Sequence, residues 1–171
     1  FYGAYSYSRV FTYVNEINFG RQFPARHDKP HNASVNLTYQ PTKRWSFNIN
    51  WVFSSGMRFS SPTGYYYYSG YQIPIYHEKN NDKLPNYHRL DLSANLRLNK
   101  NENARYRHDI IFSIFNFYNR QNIIAVNFNK IETDDGNFYV PSDFISENEI
   151  ITTSKYLLGF MPSIAYSFRF R

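Results

Sequence analysis

The side chains best suited to touch a solute are tyrosines. Tyr65, Tyr66, Tyr67, Tyr68, Tyr71 and Tyr76 crowd into one segment, with Gly64 and Gly70 placed as hinges. A tyrosine ring brings rigid contact area and a hydroxyl at low entropic cost. Its planar face also stacks on a sugar ring. Four adjacent tyrosines cannot all meet one ligand in an extended chain, because neighbours point to opposite sides. The competing expectation is that these rings pack the loop onto its neighbours or join an aromatic belt.

Other constellations promise less. His27, Asp28 and His31 are close together, while His77, His88 and His108 lie apart. Imidazole and carboxylate ligate metals, but no zinc-type spacing is present, so polar loop residues are expected here. Glu132, Asp134, Asp135, Gly136 and Asn137 offer oxygen ligands that calcium prefers, without EF-hand spacing. A glycine-containing turn explains the same residues. The chain has no Cys, which removes disulfides and thiolate chemistry. It has no Gly-x-Ser-x-Gly nucleophile turn. Asp91 is expected to pair with Arg97 or with groups on adjacent strands. Two glycosylation-type triplets begin at Asn32 and Asn36, both inside a predicted strand, and carry no weight. No catalytic residue, metal or cofactor is expected.

Composition narrows the class. The 171 residues suffice for one domain. Aromatics make up 20% of the chain although only 42% of it is hydrophobic. A disordered tail would be poor in aromatics. No apolar run is long enough for a membrane helix. A membrane β-barrel stays open, since its strands are only half apolar. The net charge of +6 comes from scattered residues without a dense basic run, so nucleic acid is not an expected partner. The chain begins at Phe1 with no basic-then-apolar leader, so a processed chain or part of a longer one is expected.

The elements that must position these residues show a period of two. Trp45, Phe47, Ile49, Trp51 and Phe53 alternate with Ser46, Asn48, Asn50, Val52 and Ser54. Leu90, Leu92, Ala94, Leu96 and Leu98 alternate with Asp91, Ser93, Asn95, Arg97 and Asn99. Ala33 to Gln40 and Ser163 to Arg171 repeat the pattern. Phe1 to Val14 is noisier, as is His108 to Tyr118, where Ile111 and Phe115 blur the faces. The pattern predicts six antiparallel strands, most longer than those of soluble sheets. The expected connections alternate: long over Asn15 to Pro30, short at Pro41-Thr42-Lys43, long over Ser60 to His88, short through Asn99 to Asn103, long over Asn122 to Ser154. Such alternation marks an up-and-down transmembrane β-barrel with short inner turns and long outer loops. Apolar faces would meet lipid, and Asn48, Asn50, Asp91, Asn95 and Arg97 would face the lumen. Tyr39, Trp45, Phe59, Tyr118 and Tyr156 are expected in the interfacial aromatic girdles.

Four segments carry a family resemblance. His31-Asn32-Ala33-Ser34-Val35-Asn36-Leu37 with Arg44-Trp45-Ser46-Phe47 and Trp51-Val52-Phe53-Ser54-Ser55-Gly56 resembles late barrel strands of TonB-dependent outer-membrane receptors, of the Bacteroidota type. Leu84-Pro85-Asn86-Tyr87-His88-Arg89-Leu90-Asp91-Leu92-Ser93 is similar to a segment opening a descending strand there. The stretch from Phe112 to Asn122 resembles the penultimate strand, and Pro162 to Phe170 the last, although Arg171 follows the usual terminal aromatic. The resemblance implies the C-terminal part of a barrel of about 22 strands, its plug lying outside this chain. It implies the bacterial outer membrane, uptake of a glycan, peptide or metal chelate, and no catalysis. The implied partners are the lipid bilayer, the rest of the barrel and its plug, the TonB complex acting through that plug, and in some members a surface lipoprotein lid. Two other expectations stand beside it. One is a small complete outer-membrane barrel, an adhesin or structural protein, with extra strands in Ile123 to Ile131 and Phe138 to Ile145. The other is a soluble carbohydrate-binding β-sandwich, with both aromatic faces turned inward.

Overall fold

The computed structural model describes residues 1–69, 71–99, 105–129, 131–132, 138–139 and 151–170. The chain is all-β, with antiparallel pairing throughout. One sheet dominates: β1 (Tyr2–Tyr7), β2 (His31–Tyr39), β3 (Trp45–Ser54), β4 (Tyr87–Arg97), β5 (Tyr106–Phe115) and β6 (Met161–Phe170). Each strand lies beside its predecessor, so the order in space is the order in sequence. The strand ends that flank the short turns 40–44 and 98–105 lie at one end of the sheet, and those that flank the long connections 8–30, 55–86 and 116–160 lie at the other.

Register turns the alternation into two continuous faces. Val35 stands opposite Trp51, which stands opposite Leu90. Leu37, Ile49, Leu92, Ile114 and Pro162 form the next row, and Ala94, Phe112 and Ile164 continue beside Phe47. A slip of one residue in any pairing would move a whole strand's apolar set to the other side. The opposite face carries Asn36, Asn50 and Asp91 in one row, and Thr38, Asn48, Ser93, Ser113 and Ser163 in another.

The apolar face is graded along the strands. Its middle is aliphatic. At the short-turn end stand Tyr39, Trp45, Phe47, Tyr106, Phe168 and Phe170, with Trp45 stacked on Phe47 at 5.6 Å and Tyr106 edge-on to Phe170 at 5.0 Å. At the long-connection end stand Tyr5, Tyr7, His31, Trp51, Phe53 and His88. The histidines of this face are hydrogen-bonded to tyrosine hydroxyls: His31 Nδ1 to Tyr5 and His88 Nδ1 to Tyr118, each at 2.8 Å, and His108 to Tyr166.

Among the described residues no second layer covers this face. Val35 and Leu37 are 42% exposed and Ile164 is 69% exposed. The only buried apolar side chains among the described residues are Phe23, Ala25 and Leu84, all in the long connections. The accessible surface is 12055 Å², against roughly 8,900 Å² for a compact monomer of this mass.

Several expectations are corrected. The segment Phe1 to Val14 is not one strand: β1 ends at Tyr7, and Phe11–Thr12 pairs instead with Phe23–Pro24. The long connections are built from further pairings. Arg58–Phe59 pairs with Asp82–Lys83, Gly64–Tyr68 with Tyr71–Ile75, and Ile123–Asn129 with Ile151–Tyr156. Ile131–Glu132 pairs with Phe138–Tyr139. Gly64 is a strand residue opposite Ile75 and not a hinge. Phe59 and Tyr156 therefore sit in these outgrowths and not at the ends of the sheet. Gly70, the acidic turn at 133–137, most of Phe138 to Ile145 and the turn residues 100–104 lie outside the described residues.

The second long connection closes at its base through Gly56. The Gly56 N–H donates to Asn86 Oδ1 at 3.2 Å, and the Leu84 N–H donates to the Met57 carbonyl at 2.9 Å. A β-carbon at Gly56 would fall 1.7 Å from the Leu84 carbonyl oxygen. Backbone cannot yield there as a flexible side chain would. Gly56→Ala is therefore expected to cost about 1–3 kcal/mol or more. Its thermal unfolding midpoint should fall by several degrees, whereas Gly3→Ala, with only a 3.9 Å approach to Ser34, should behave like the parent.

Candidate functional site

The polar face is a hydrogen-bonded surface centred on Asp91. Arg89 lies two residues along β4, so both side chains leave the same face. Arg89 Nε donates to Asp91 Oδ2 at 3.0 Å, and a second guanidinium nitrogen reaches the same oxygen at 2.9 Å. Asn50 Nδ2 reaches that oxygen from β3 at 3.4 Å. The other carboxylate oxygen accepts the Asn116 N–H at 3.0 Å. The Arg89 guanidinium also donates to the Tyr87 hydroxyl at 3.0 Å and lies 4.1 Å above the Phe115 ring. Both oxygens of Asp91 thus accept hydrogen bonds, one from the guanidinium and the Asn50 amide and the other from the backbone.

Of the two partners expected for Asp91, the adjacent-strand group is found, as Asn50, and Arg97 is replaced by Arg89. Arg97 lies at the far end of β4, opposite Asp109. Asp109 is buried and takes its ion pair from Arg107 at 2.7 Å. The five polar-face candidates Asn48, Asn50, Asp91, Asn95 and Arg97 share one face, and Asn50 and Asp91 are hydrogen-bonded to each other. Asn48 bonds Thr38 at 2.7 Å and Ser93 at 3.5 Å. Near Asp91 the surface dips into a groove of about 390 Å³ lined by Asn48, Asn50, Ser93 and Ser113.

The six tyrosines stand apart from this groove. Tyr65 to Tyr68 form one strand of a hairpin, with Tyr68 opposite Tyr71 and Tyr66 opposite Ile73. Tyr66, Tyr68 and Tyr71 thus share one side of the hairpin, while Tyr65 and Tyr67 take the other. All six tyrosines, Tyr76 included, are exposed, Tyr68 most at 70%. Such a hairpin presents two ring surfaces to a solute instead of one.

The residues that position this end of the molecule are asparagines, and sequence reasoning missed them. Asn18 accepts the Lys79 N–H at 2.6 Å and donates to the Lys79 carbonyl at 3.0 Å. Asn81 treats Ser61 the same way at 2.8 and 3.0 Å, and Asn122 does so with His88 at 3.2 and 3.0 Å. Each side-chain amide takes the place of a strand residue and joins two distant segments. Asp28, of the histidine-flanked trio, is fully buried, accepting from Arg9 at 3.2 Å and from the Val10 N–H at 2.9 Å. The only sequence signal is the abundance of Asn in the segments between the apolar runs.

Asn116 turns the chain at the end of β5. It sits at φ 52°, the left-handed region that Asn tolerates better than most residues. Its buried amide donates to the Arg120 and Leu158 carbonyls at 2.9 and 3.2 Å and accepts the Arg120 N–H at 3.1 Å. Asn119, at φ 54°, accepts the Phe160 N–H at 2.8 Å and ties the same turn to the start of β6.

Comparison with protein-family models, with curated proteins and with solved structures finds no match to the chain.

Removing the fully buried Asn116 amide would take the partner from two carbonyls and one N–H of the turn. Asn116→Ala is expected to destabilise the protein by about 2–3 kcal/mol. Asn116→Gly, which relieves the backbone conformation but also lacks the amide, should recover only a minor part. Thermal unfolding of the two variants against the parent measures this.

Proposed function

We propose that the chain forms wall and outer loops of a transmembrane β-barrel in a bacterial outer membrane. The barrel is a TonB-dependent transporter of the kind the sequence resembles, taking up a glycan, peptide or metal chelate. The observation that carries this is the uncovered apolar face. It runs across six strands, is aliphatic in the middle and aromatic at both ends, and backs onto a polar face. Lipid covers such a face at no cost in water structure, and aromatic belts suit the two interfaces. The strand length agrees. β4 has 11 residues, about 37 Å at ~3.4 Å each. Tilted by ~45°, it spans roughly 26 Å, close to the ~25 Å apolar band of such barrels.

Each part then has a role. Asn48, Asn50, Asp91, Asn95 and Arg97 line an aqueous lumen and meet the plug. The tyrosine hairpin stands outside, where solute arrives first and where a surface lipoprotein would dock. β1 and β6 each have one neighbour in the sheet, and their outer edges pair with the rest of the barrel, since unpaired backbone is untenable in hydrocarbon. TonB acts through the plug. The chain performs no reaction and needs no cofactor.

Two adjacent substitutions on β4 test this. Leu92 faces the apolar side between Ile49 and Ile114, and Ser93 the polar side between Asn48 and Ser113. Leu92→Arg is expected to cost about 2–4 kcal/mol at mid-membrane and to abolish the outer-membrane form of the protein. Ser93→Arg should leave its amount unchanged. Parent protein that fractionates as soluble without detergent would overturn the proposal.

A further inference from the structure

The long connections carry a second charged feature, away from the sheet. A cleft of about 290 Å³ opens between the bases of the three connections. Arg26 of the first and Arg58 and Lys79 of the second line it, while Phe59 and Leu84 with Ile124 of the third supply an apolar wall. An adjoining cleft of about 280 Å³ shares Arg58, Lys79 and Asn80 with it. No carboxylate lines the first cleft among the described residues. The one that lines the second, Glu78, is already bonded to Arg21 at 3.0 Å. Asp28, the nearest acidic residue in sequence to Arg26, is committed to Arg9.

The cleft is also built, not incidental. The Arg58 N–H donates to the Arg26 carbonyl at 3.0 Å, which sets the two arginines side by side. Asn18 grips both backbone groups of Lys79. Asn80, buried and at φ 58°, donates its amide to the Pro24 carbonyl at 2.8 Å, while its N–H donates to Ser60 Oγ at 3.0 Å. Three cations thereby line one cleft, and among the described residues none of their charged ends is paired with a carboxylate. Guanidinium groups bind oxyanions through paired N–H donors, and an ammonium adds a point charge.

We infer that this cleft binds an organic oxyanion, a polycarboxylate or phosphorylated compound, with its charge on Arg26, Arg58 and Lys79 and its carbon framework on the apolar wall. The inference rests on the reading that the long connections meet solute first. It adds a charge class that the tyrosine hairpin, which has no cation in its strands, does not supply.

The experiment is calorimetric titration of the purified full-length protein with citrate, with tripolyphosphate, and with sorbitol as a neutral probe. Arg58→Gln and Lys79→Gln are compared with Arg169→Gln, which changes a cation at the far end of the sheet. At least one anion should bind and sorbitol should not. Affinity should fall at least tenfold in Arg58→Gln and in Lys79→Gln, and hold in Arg169→Gln. Binding of citrate alone identifies carboxylates, and of tripolyphosphate alone phosphates. Neither charged side chain donates a hydrogen bond within the described residues, so both variants should fold, and their unfolding midpoints check that. The inference is overturned if neither anion binds, if binding survives both substitutions, or if sorbitol binds as well. Whether the protein needs detergent to stay in solution reports separately on the membrane reading.

Discussion

A single β-sheet has two faces, and here only one of them is suited to water. Burial of apolar area is the main source of folding free energy, at roughly 25 cal/mol per Å². In this chain the apolar rows on β2 to β6 are aligned by register and then left open. Everything else follows from how that face is covered. A soluble sandwich would cover it with a second sheet. The described residues contribute no such layer. Their small sheets stand on the long connections, at one end of the strands. The cover we propose, lipid, matches the aliphatic middle, the aromatic ends and the strand length together.

The polar face and the long connections complete the division of labour. Side-chain bonds across that face run between neighbouring strands: Thr38 to Asn48, Asn50 to Asp91, Ser113 to Ser163. Among the described residues they leave a polar surface with a shallow groove. The connections, in contrast, have a small core of their own around Phe23 and Leu84. Asn18 and Asn80 fasten the first connection to the second, Asn122 ties the third to β4, and the Arg9–Asp28 pair closes the first on itself. Order at that end is what allows the tyrosine hairpin and the basic cleft to hold fixed shapes.

The strands were legible where each residue type kept to its own face. β3 and β4 show this, because Trp45 to Ser54 and Leu90 to Arg97 alternate almost without fault. β5 was blurred for a physical reason. Phe115 belongs to the polar face, where the Arg89 guanidinium covers its ring. Ile111 lies on the same face, opposite Ala165 and Asn95. Of the paired segments inside the long connections, Ile123–Asn129 falls within a stretch expected as an extra strand, whereas those of the first two connections were not legible. Several are two residues long, and a period cannot be read from two residues. The asparagine clamps join positions far apart in sequence, with no pattern to announce them. Asp91 does bond an adjacent strand through Asn50, but its cation is Arg89 and not Arg97, for a simple reason. Two residues along one strand share a face, so Arg89 was nearer than Arg97 from the start.

The central claim is that the apolar face meets hydrocarbon and the opposite face meets water. Because the chain has no Cys, single nitroxide labels can be placed without interference from within it. The direct measurement is spin-label accessibility in lipid vesicles for Phe47→Cys, Asn48→Cys, Ile49→Cys and Asn50→Cys, on a full-length protein otherwise free of cysteine. Labels at positions 47 and 49 should be open to oxygen dissolved in lipid and closed to a water-soluble nickel reagent. Labels at 48 and 50 should show the reverse. Equal accessibility along the strand, or labels at 47 and 49 shielded from both reagents as in a packed sandwich, would contradict the account.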